Sequence, residues 1–335
     1  MKKMAALLMV LVLSLALVAG ATAETNGGMK LGLQVDTTIA KSKDAEADAN
    51  GLAQVDTVAV AVLVDAEGKI ADLDIDAVQA KMPFTAQGTL APEFPATVPT
   101  KQEMGKDYGM STVSKVGEWD QQIAALSAYL IGKTVEEVKN VAVDESTAPT
   151  DTELTAGCTM KIGGYLSAVA AAMENAVDCA AAATDKVGIG CSTATSKSKD
   201  AADGKDGQCM AYSFFSALTT DANGMITACR IDSTQGTVKF DATGKITSDL
   251  AARTATKQEL GEAYGMRSAS GIGKEWFEQA NAFAAYVIGK TAAEVEGIAV
   301  DESTKPTDTE LAASVTVSVG GLQGAVVNAA AHAAK

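Results

Sequence analysis

The chain reads as an α+β protein built twice: two tandem duplicated domains, each an antiparallel β-sheet with helices packed on one face. Three observations predict this. The first is repetition. Lys41-Ser42-Lys43-Asp44-Ala45 returns as Lys197-Ser198-Lys199-Asp200-Ala201, and Asp65, Asp76, Phe84 and Tyr108 return as Asp221, Asp232, Phe240 and Tyr264, all 156 residues later. One inserted residue then makes the offset 157, which carries Trp119 to Trp276 and Asp144-Glu145 to Asp301-Glu302. Such a period marks a duplicated domain, since solenoid units run roughly 20–50 residues. The second observation is a β-branched run and a hairpin turn early in each copy. The third is a later switch to helical spacing, the strands-then-helices order of α+β domains.

The N-terminus has the pattern of a secretory leader. Met1-Lys2-Lys3 is basic, an apolar run extends from Met4 to about Val18, and Ala21-Thr22-Ala23 is a small-x-small cleavage site. Residues 1–23 are therefore expected to be a signal peptide. The apolar run is short of the ~20 residues a bilayer span needs, and no second such run follows. The expected location is periplasmic, cell-envelope or extracellular, with no membrane span after cleavage. The domains are expected over 24–178 and 187–335. The linker 179–186 carries an alanine tract that would extend the preceding helix.

Loss of Lys2 and Lys3 leaves 25 basic against 42 acidic residues, a net charge near −17. That balance argues against nucleic acid and anionic membranes as partners. Five cysteines, Cys158, Cys179, Cys191, Cys209 and Cys229, form no metal-type or redox spacing. Export permits disulfides, and the odd count leaves at least one thiol unpaired within the chain. Aromatics are only 4% of the chain, so the cores must be built from Val, Ile, Leu, Met and Ala.

In order along one copy, Gly51 to Ile75 reads as a hairpin. Val55 to Val64 is β-branched, Asp65-Ala66-Glu67-Gly68 is the turn, and Lys69 to Ile75 returns. The second copy turns on Asp221-Ala222-Asn223-Gly224, and Asn-Gly is a strong hairpin signal. Trp119, Ile123, Leu126 and Leu130 are spaced as a helix closed by Gly132, and Trp276 to Val287, closed by Gly289, repeats it. Thr134/Glu137 and Thr291/Glu294 are capping boxes, and Thr150/Glu153 and Thr307/Glu310 look like a second pair. A strand is expected over Ala313–Val319, matched by Cys158–Ile162, each leading through Gly-Gly into a last helix.

Most catalytic repertoires are absent. His332 is the sole histidine, and three residues from the end it reads as a frayed surface group. No Ser-His or Cys-His nucleophile can be assembled around it elsewhere, and no His-based metal cluster. Asp44, Glu46, Asp48 and Asn50 are spaced like the start of a calcium loop but lack its closing glutamate. Asp144-Glu145 and Asp301-Glu302 are adjacent acids, which usually point apart. The most chemical-looking segment is Tyr264-Gly265-Met266-Arg267-Ser268-Ala269-Ser270-Gly271-Ile272-Gly273-Lys274, ahead of the Trp276 helix. Backbone N–H groups, hydroxyls and two cations suit a phosphate or carboxylate. The plainer alternative is an N-cap loop, with Ser270 (or Ser114 in the first copy) capping the helix.

Ala156-Gly157-Cys158-Thr159 and Ala313-Ser314-Val315-Thr316 precede the last helix of each copy. The early turns are Glu67-Gly68-Lys69-Ile70 and Asn223-Gly224-Met225-Ile226. This order of parts resembles the FMN-binding domain family of exported bacterial electron-transfer proteins. In that family, the threonine of a Ser-Gly-Ala-Thr motif is esterified to the flavin phosphate. The resemblance implies FMN as cofactor, Thr159 and Thr316 as candidate attachment points, and a redox partner; the flavin would supply the chemistry. Two function classes follow from the sequence. One is a carrier of electrons or binder of a small anionic or phosphorylated ligand; the other is a non-catalytic envelope or surface protein. A cleft near Tyr108 or Tyr264 would mark the first, and filled cores with an apolar surface patch the second.

Overall fold

The computed structural model describes residues 28–335, so the expected signal peptide lies outside the described residues. The first repeat comprises β1 (Lys30–Thr38), β2 (Gly51–Val64), β3 (Ile70–Phe84), α1 (Lys101–Met104), α2 (Trp119–Leu130), α3 (Val135–Lys139), α4 (Thr152–Thr155), α5 (Gly163–Glu174) and β4 (Val177–Asp178). The second comprises β5 (Lys186–Ala194), β6 (Gly207–Thr220), β7 (Ile226–Phe240), α6 (Lys257–Leu260), α7 (Trp276–Val287), α8 (Ala292–Glu296), α9 (Thr309–Ala312) and α10 (Gly320–Ala333).

Both repeats fold as predicted, α+β with antiparallel meanders, ordered β3-β2-β1-β4 and β5-β6-β7. They also share one register. Gly51 opposes Phe84 as Gly207 opposes Phe240, and the bulge at Leu63/Val64 recurs at Thr219/Thr220. The sheets face each other and the helices cover their outer faces, giving four layers. Val60, Val62 and Val64 therefore pack on the helices, while Ala59, Ala61 and Leu63 meet the other sheet. The run from Val58 to Val64 is apolar throughout because both of its faces are covered.

Alanine abundance has a steric cause. A Cβ on Gly32 would lie 2.0 Å from the Ala172 carbonyl oxygen, and one on Gly190 2.0 Å from that of Ala325. The last helix of each repeat thus lies directly on the first strand, where only small residues fit. The sheets meet in apolar cores, with Phe84 and Phe240 stacked at 4.4 Å between ring centres. Ala45 N–H donates to Gly244 O at 2.9 Å, and Ala201 N–H to Gly88 O at 2.7 Å. Asp44 Oδ1 accepts from Ile246 N and Asp200 Oδ1 from Leu90 N. Such reciprocal contacts are those of a local twofold axis.

Several expectations change. β1 and β5 were not foreseen, and β3 runs on to Phe84 rather than stopping near Ile75. The strand expected over Ala313–Val319, and its match over Cys158–Ile162, is irregular chain. Its backbone is satisfied by a side chain instead: Gln279 Oε1 accepts from Thr316 N and Val317 N, as Gln122 Oε1 does from Thr159 N and Met160 N. The second pair of helix caps is Asp151 and Asp308, one residue past the expected threonines, because their carboxylates reach the N–H groups of the first turn. The alanine tract does not extend α5, which stops at Glu174; Val177–Asp178 then pairs with β1 and Cys179 N–H donates to Met29 O.

Candidate functional site

One β-strand position decides the site. Asp56 of β2 and Tyr212 of β6 are equivalent, opposing Gln79 and Gln235. Two residues on, Val58 is matched by Phe214. Across from them the capping boxes Thr100/Glu103 and Thr256/Glu259 start α1 and α6 and place Lys101 and Lys257.

In the second repeat this region is full. Lys257 is 2% exposed, with its ammonium 4.5 Å from the ring centres of Tyr212 and Tyr264 and 4.9 Å from that of Trp276. It also donates a hydrogen bond to the Tyr212 hydroxyl. Burial pulls this lysine down to about 7, with Asp232 opposing. The Phe214 ring, 4.6 Å from that of Tyr212, seats on the first turn of α10. A Cβ on Gly321 would lie 2.3 Å from that ring.

In the first repeat the same region is open. A cleft of about 400 Å³ is lined by Lys41, Asp56, Val58, Lys101, Gly164 and Tyr165, among others, and by Arg253 from the second repeat. Nothing lies within 4 Å of a Cβ built on Gly164. Two of the cations are already paired: Lys41 with Asp56 at 2.7 Å and Arg253 with Glu259. Burial pushes the Asp56 carboxyl up, but Lys41 and the amides of Gln54 and Gln79 outweigh it and hold it below its usual range. Lys101 lies over Tyr108 at 4.5 Å and Trp119 at 5.2 Å. Among the described residues it has no carboxylate at ion-pair distance. Trp119 Nε1–H donates to Tyr165 Oη at 3.0 Å. Burial pushes the Tyr165 phenol up to about 12, so it stays neutral and keeps its own hydrogen.

The anion cradle read from the sequence is corrected. Its amides are taken by the chain itself: Glu275, the N-cap of α7, accepts from Met266 N at 2.8 Å and Arg267 N at 2.7 Å. The Arg267 guanidinium pairs with Glu262 and Glu278 and donates to Gly273 O. Ser270 Oγ accepts from Gln279 Nε2 at 3.1 Å and from the Lys274 amide, so it braces the loop rather than capping α7. Ser268, Gly271 and Gly273 are exposed, and Tyr264 is committed to Lys257. Lys274 has no carboxylate at ion-pair distance among the described residues, but with its other donors committed the segment is an N-cap loop, as is its counterpart, where Glu118 accepts from Met110 N and Ser111 N.

Thr159 and Thr316 also fall outside the cleft. Their hydroxyls and backbone amides turn to Gln122 and Gln279, and neither lines the cavity. The residues do not fit an FMN ester, because attachment point, anion donors and ring-sized space are not brought together. Among the described residues no cluster suits a metal ion. Asp44 binds Lys245 and the Ile246 amide across the repeats, and Asp144 and Asp301 close their own turns. No pair of the five cysteines is bridged. His332 is not frayed: its side chain is 7% exposed, with Nδ1 at 3.2 Å from Asp74 Oδ2. Sequence reasoning missed Lys101, Tyr165 and Arg253. The signal was a contrast between copies, Asp56 and Val58 against Tyr212 and Phe214.

No family model matches the chain, and no solved structure matches it. A stretch of 41 residues is 54% identical to part of a chlorophenol reductase from Desulfitobacterium hafniense. That stretch spans 12% of this chain and 12% of that relative, so the similarity is to a short segment alone.

Proposed function

We propose that this is an exported binding protein whose first repeat holds one small ligand through an anionic or oxygen-acceptor group on Lys101. The second repeat is its closed counterpart. One observation carries the reading: the same fold position is an open cleft in one repeat and is filled by the half-buried rings of Tyr212 and Phe214 in the other. Support also comes from charge. Lys101 is half-buried over two aromatic rings and lacks a counter-charge among the described residues, and leaving a partly buried cation unpaired costs free energy. Tyr165 offers a hydroxyl hydrogen beside it, and Arg253 closes the cleft from the neighbouring repeat. The leader-like pattern of residues 1–23 supports export. Electron transfer through FMN at Thr159 or Thr316 finds no comparable support in the geometry.

Native mass spectrometry of the protein isolated from its own cell envelope tests this. The expected result is one non-covalent small-molecule adduct that is lost in Lys101→Met. An unadducted wild-type mass, identical to that of the variant, would overturn the reading. A covalent increment equal to an FMN ester would restore the flavin alternative.

A further inference from the structure

We infer that the ligand of the first repeat is a planar oxygenated aromatic, of the phenol or naphthol class. Its ring would sit on Gly164 and its oxygen on Lys101. The inference rests on the proposed binding role of the cleft and names the chemical class that it takes.

The second repeat displays the occupant. There a phenol, the side chain of Tyr212, accepts a hydrogen bond from the buried Lys257 ammonium and lies in van der Waals range of it. A second ring, Phe214, rests on the glycine that opens α10. The first repeat retains the other parts of this nest. Lys101 lies over Tyr108 as Lys257 lies over Tyr264, at 4.5 Å in both, and Trp119 corresponds to Trp276. Gly164 stands where Gly321 stands, yet no side chain rests on it. What is missing is the pair of rings, because Asp56 and Val58 replace Tyr212 and Phe214. Asp56 does not take over the role of the phenol, since it is turned to Lys41, Gln54 and Gln79. The remaining space, about 400 Å³, lies within the range of small-ligand pockets. A flat ring fits a wall made by a glycine and a cation backed by aromatic faces. An oxygen acceptor completes the cation's shell, as Tyr212 Oη does in the other repeat.

Isothermal titration of the mature protein with 2-naphthol and 4-methylphenol tests the inference, with cyclohexanecarboxylate and inorganic phosphate as non-aromatic probes. The expected result is one site for the aromatic probes, weakened at least tenfold in Lys101→Met and in the double variant Asp56→Tyr/Val58→Phe. Should the double variant fail to fold, Gly164→Leu replaces it; its side chain fills the ring's place and starts from space that nothing occupies. Binding of cyclohexanecarboxylate or phosphate that Lys101→Met abolishes, with no competition from 2-naphthol, would overturn the aromatic class and leave the binding role standing. Absence of binding by every probe, together with an unadducted mass from the envelope, would overturn both. Naphthol binding that is unchanged in Lys101→Met and Gly164→Leu would place the ligand elsewhere and overturn the inference.

Discussion

The Lys257 ammonium, on a side chain buried beneath three aromatic rings, donates to the Tyr212 hydroxyl. Burial lowers this lysine to about 7 in the folded protein, against ~10.4 in an unfolded chain. A lowered lysine binds fewer protons folded than unfolded between those values, so stability rises with pH across that window and is lost as pH falls through about 7. The urea midpoint of the wild type, taken relative to that of Lys257→Met, should increase from pH 7 to pH 10. The buried thiols, whose raised values work against stability above about pH 8.5, titrate alike in both proteins and cancel in that difference. Equal slopes in both proteins would show that the lysine is not the titrating group.

Asp76 and Asp232 act in the opposite direction. Both are buried, and burial raises each to about 6 despite amide donors from α1 and α6. Their contribution is complete below the unfolded value of ~3.9 and is lost as pH rises through about 6. Stability should therefore fall between about pH 5 and 6.5, and Asp76→Asn or Asp232→Asn should each flatten part of that fall. The turn carboxylates Asp144, Asp221 and Asp301 are held below their usual range by hydrogen bonds from their own turns. Their losses, and those of the lowered glutamates, begin below about pH 5. Chemical denaturation at pH 5 and 6.5, above that range, is the check.

Tyr212→Ala should cost about 2 kcal/mol, below the ~3–5 kcal/mol of a fully buried aromatic, because its ring is only half-buried. It should also open a cavity that the free side-chain analogue can refill. Millimolar 4-methylphenol is expected to raise the Tm of the variant by several degrees more than that of the wild type, which offers the first-repeat cleft alone. A variant no more responsive than the wild type would mean that the site collapses when the ring is removed.

The thiols should be inert. Burial raises all five, Cys209 and Cys229 to about 12, and the thiolate is the reactive form. Alkylation with iodoacetamide at pH 8 should be at least tenfold slower than that of a free thiol. Five adducts should form once the chain is unfolded. Fewer than five after unfolding without reductant would reveal a disulfide.

The duplication, the turns at Asp65 and Asp221, and the capping boxes at Thr134 and Thr291 were all readable in advance, because each is a local arrangement of a few residues. β1 and β5 were not. Gly32, Gly188 and Gly190 thin the strand pattern, and their reason is a helix carbonyl brought in from more than a hundred residues away. The expected strand over Ala313–Val319 failed because alternation says nothing of a neighbouring strand, and among the described residues none pairs with it. At the candidate site, Arg267 and Ser270 looked like ligand donors, but Glu262, Glu275, Glu278 and Gln279 satisfy them. Composition cannot show which polar groups the fold has already spent. Lys101 looked ordinary because its meaning depends on what Asp56, in place of a tyrosine, leaves unfilled.

The reciprocal contacts between the sheets join residues of the same type on both sides: Ala45 with Gly244 and Ala201 with Gly88, and Phe84 with Phe240. These contacts are self-complementary, of the kind through which a symmetric homodimer of one repeat would be built. Such a homodimer must have two identical seats, both vacant or both plugged. Covalent fusion removes that constraint. It lets one half give up its seat to Tyr212 and Phe214 and gain a rigid core, while the other half keeps its cleft and borrows Arg253 as a wall.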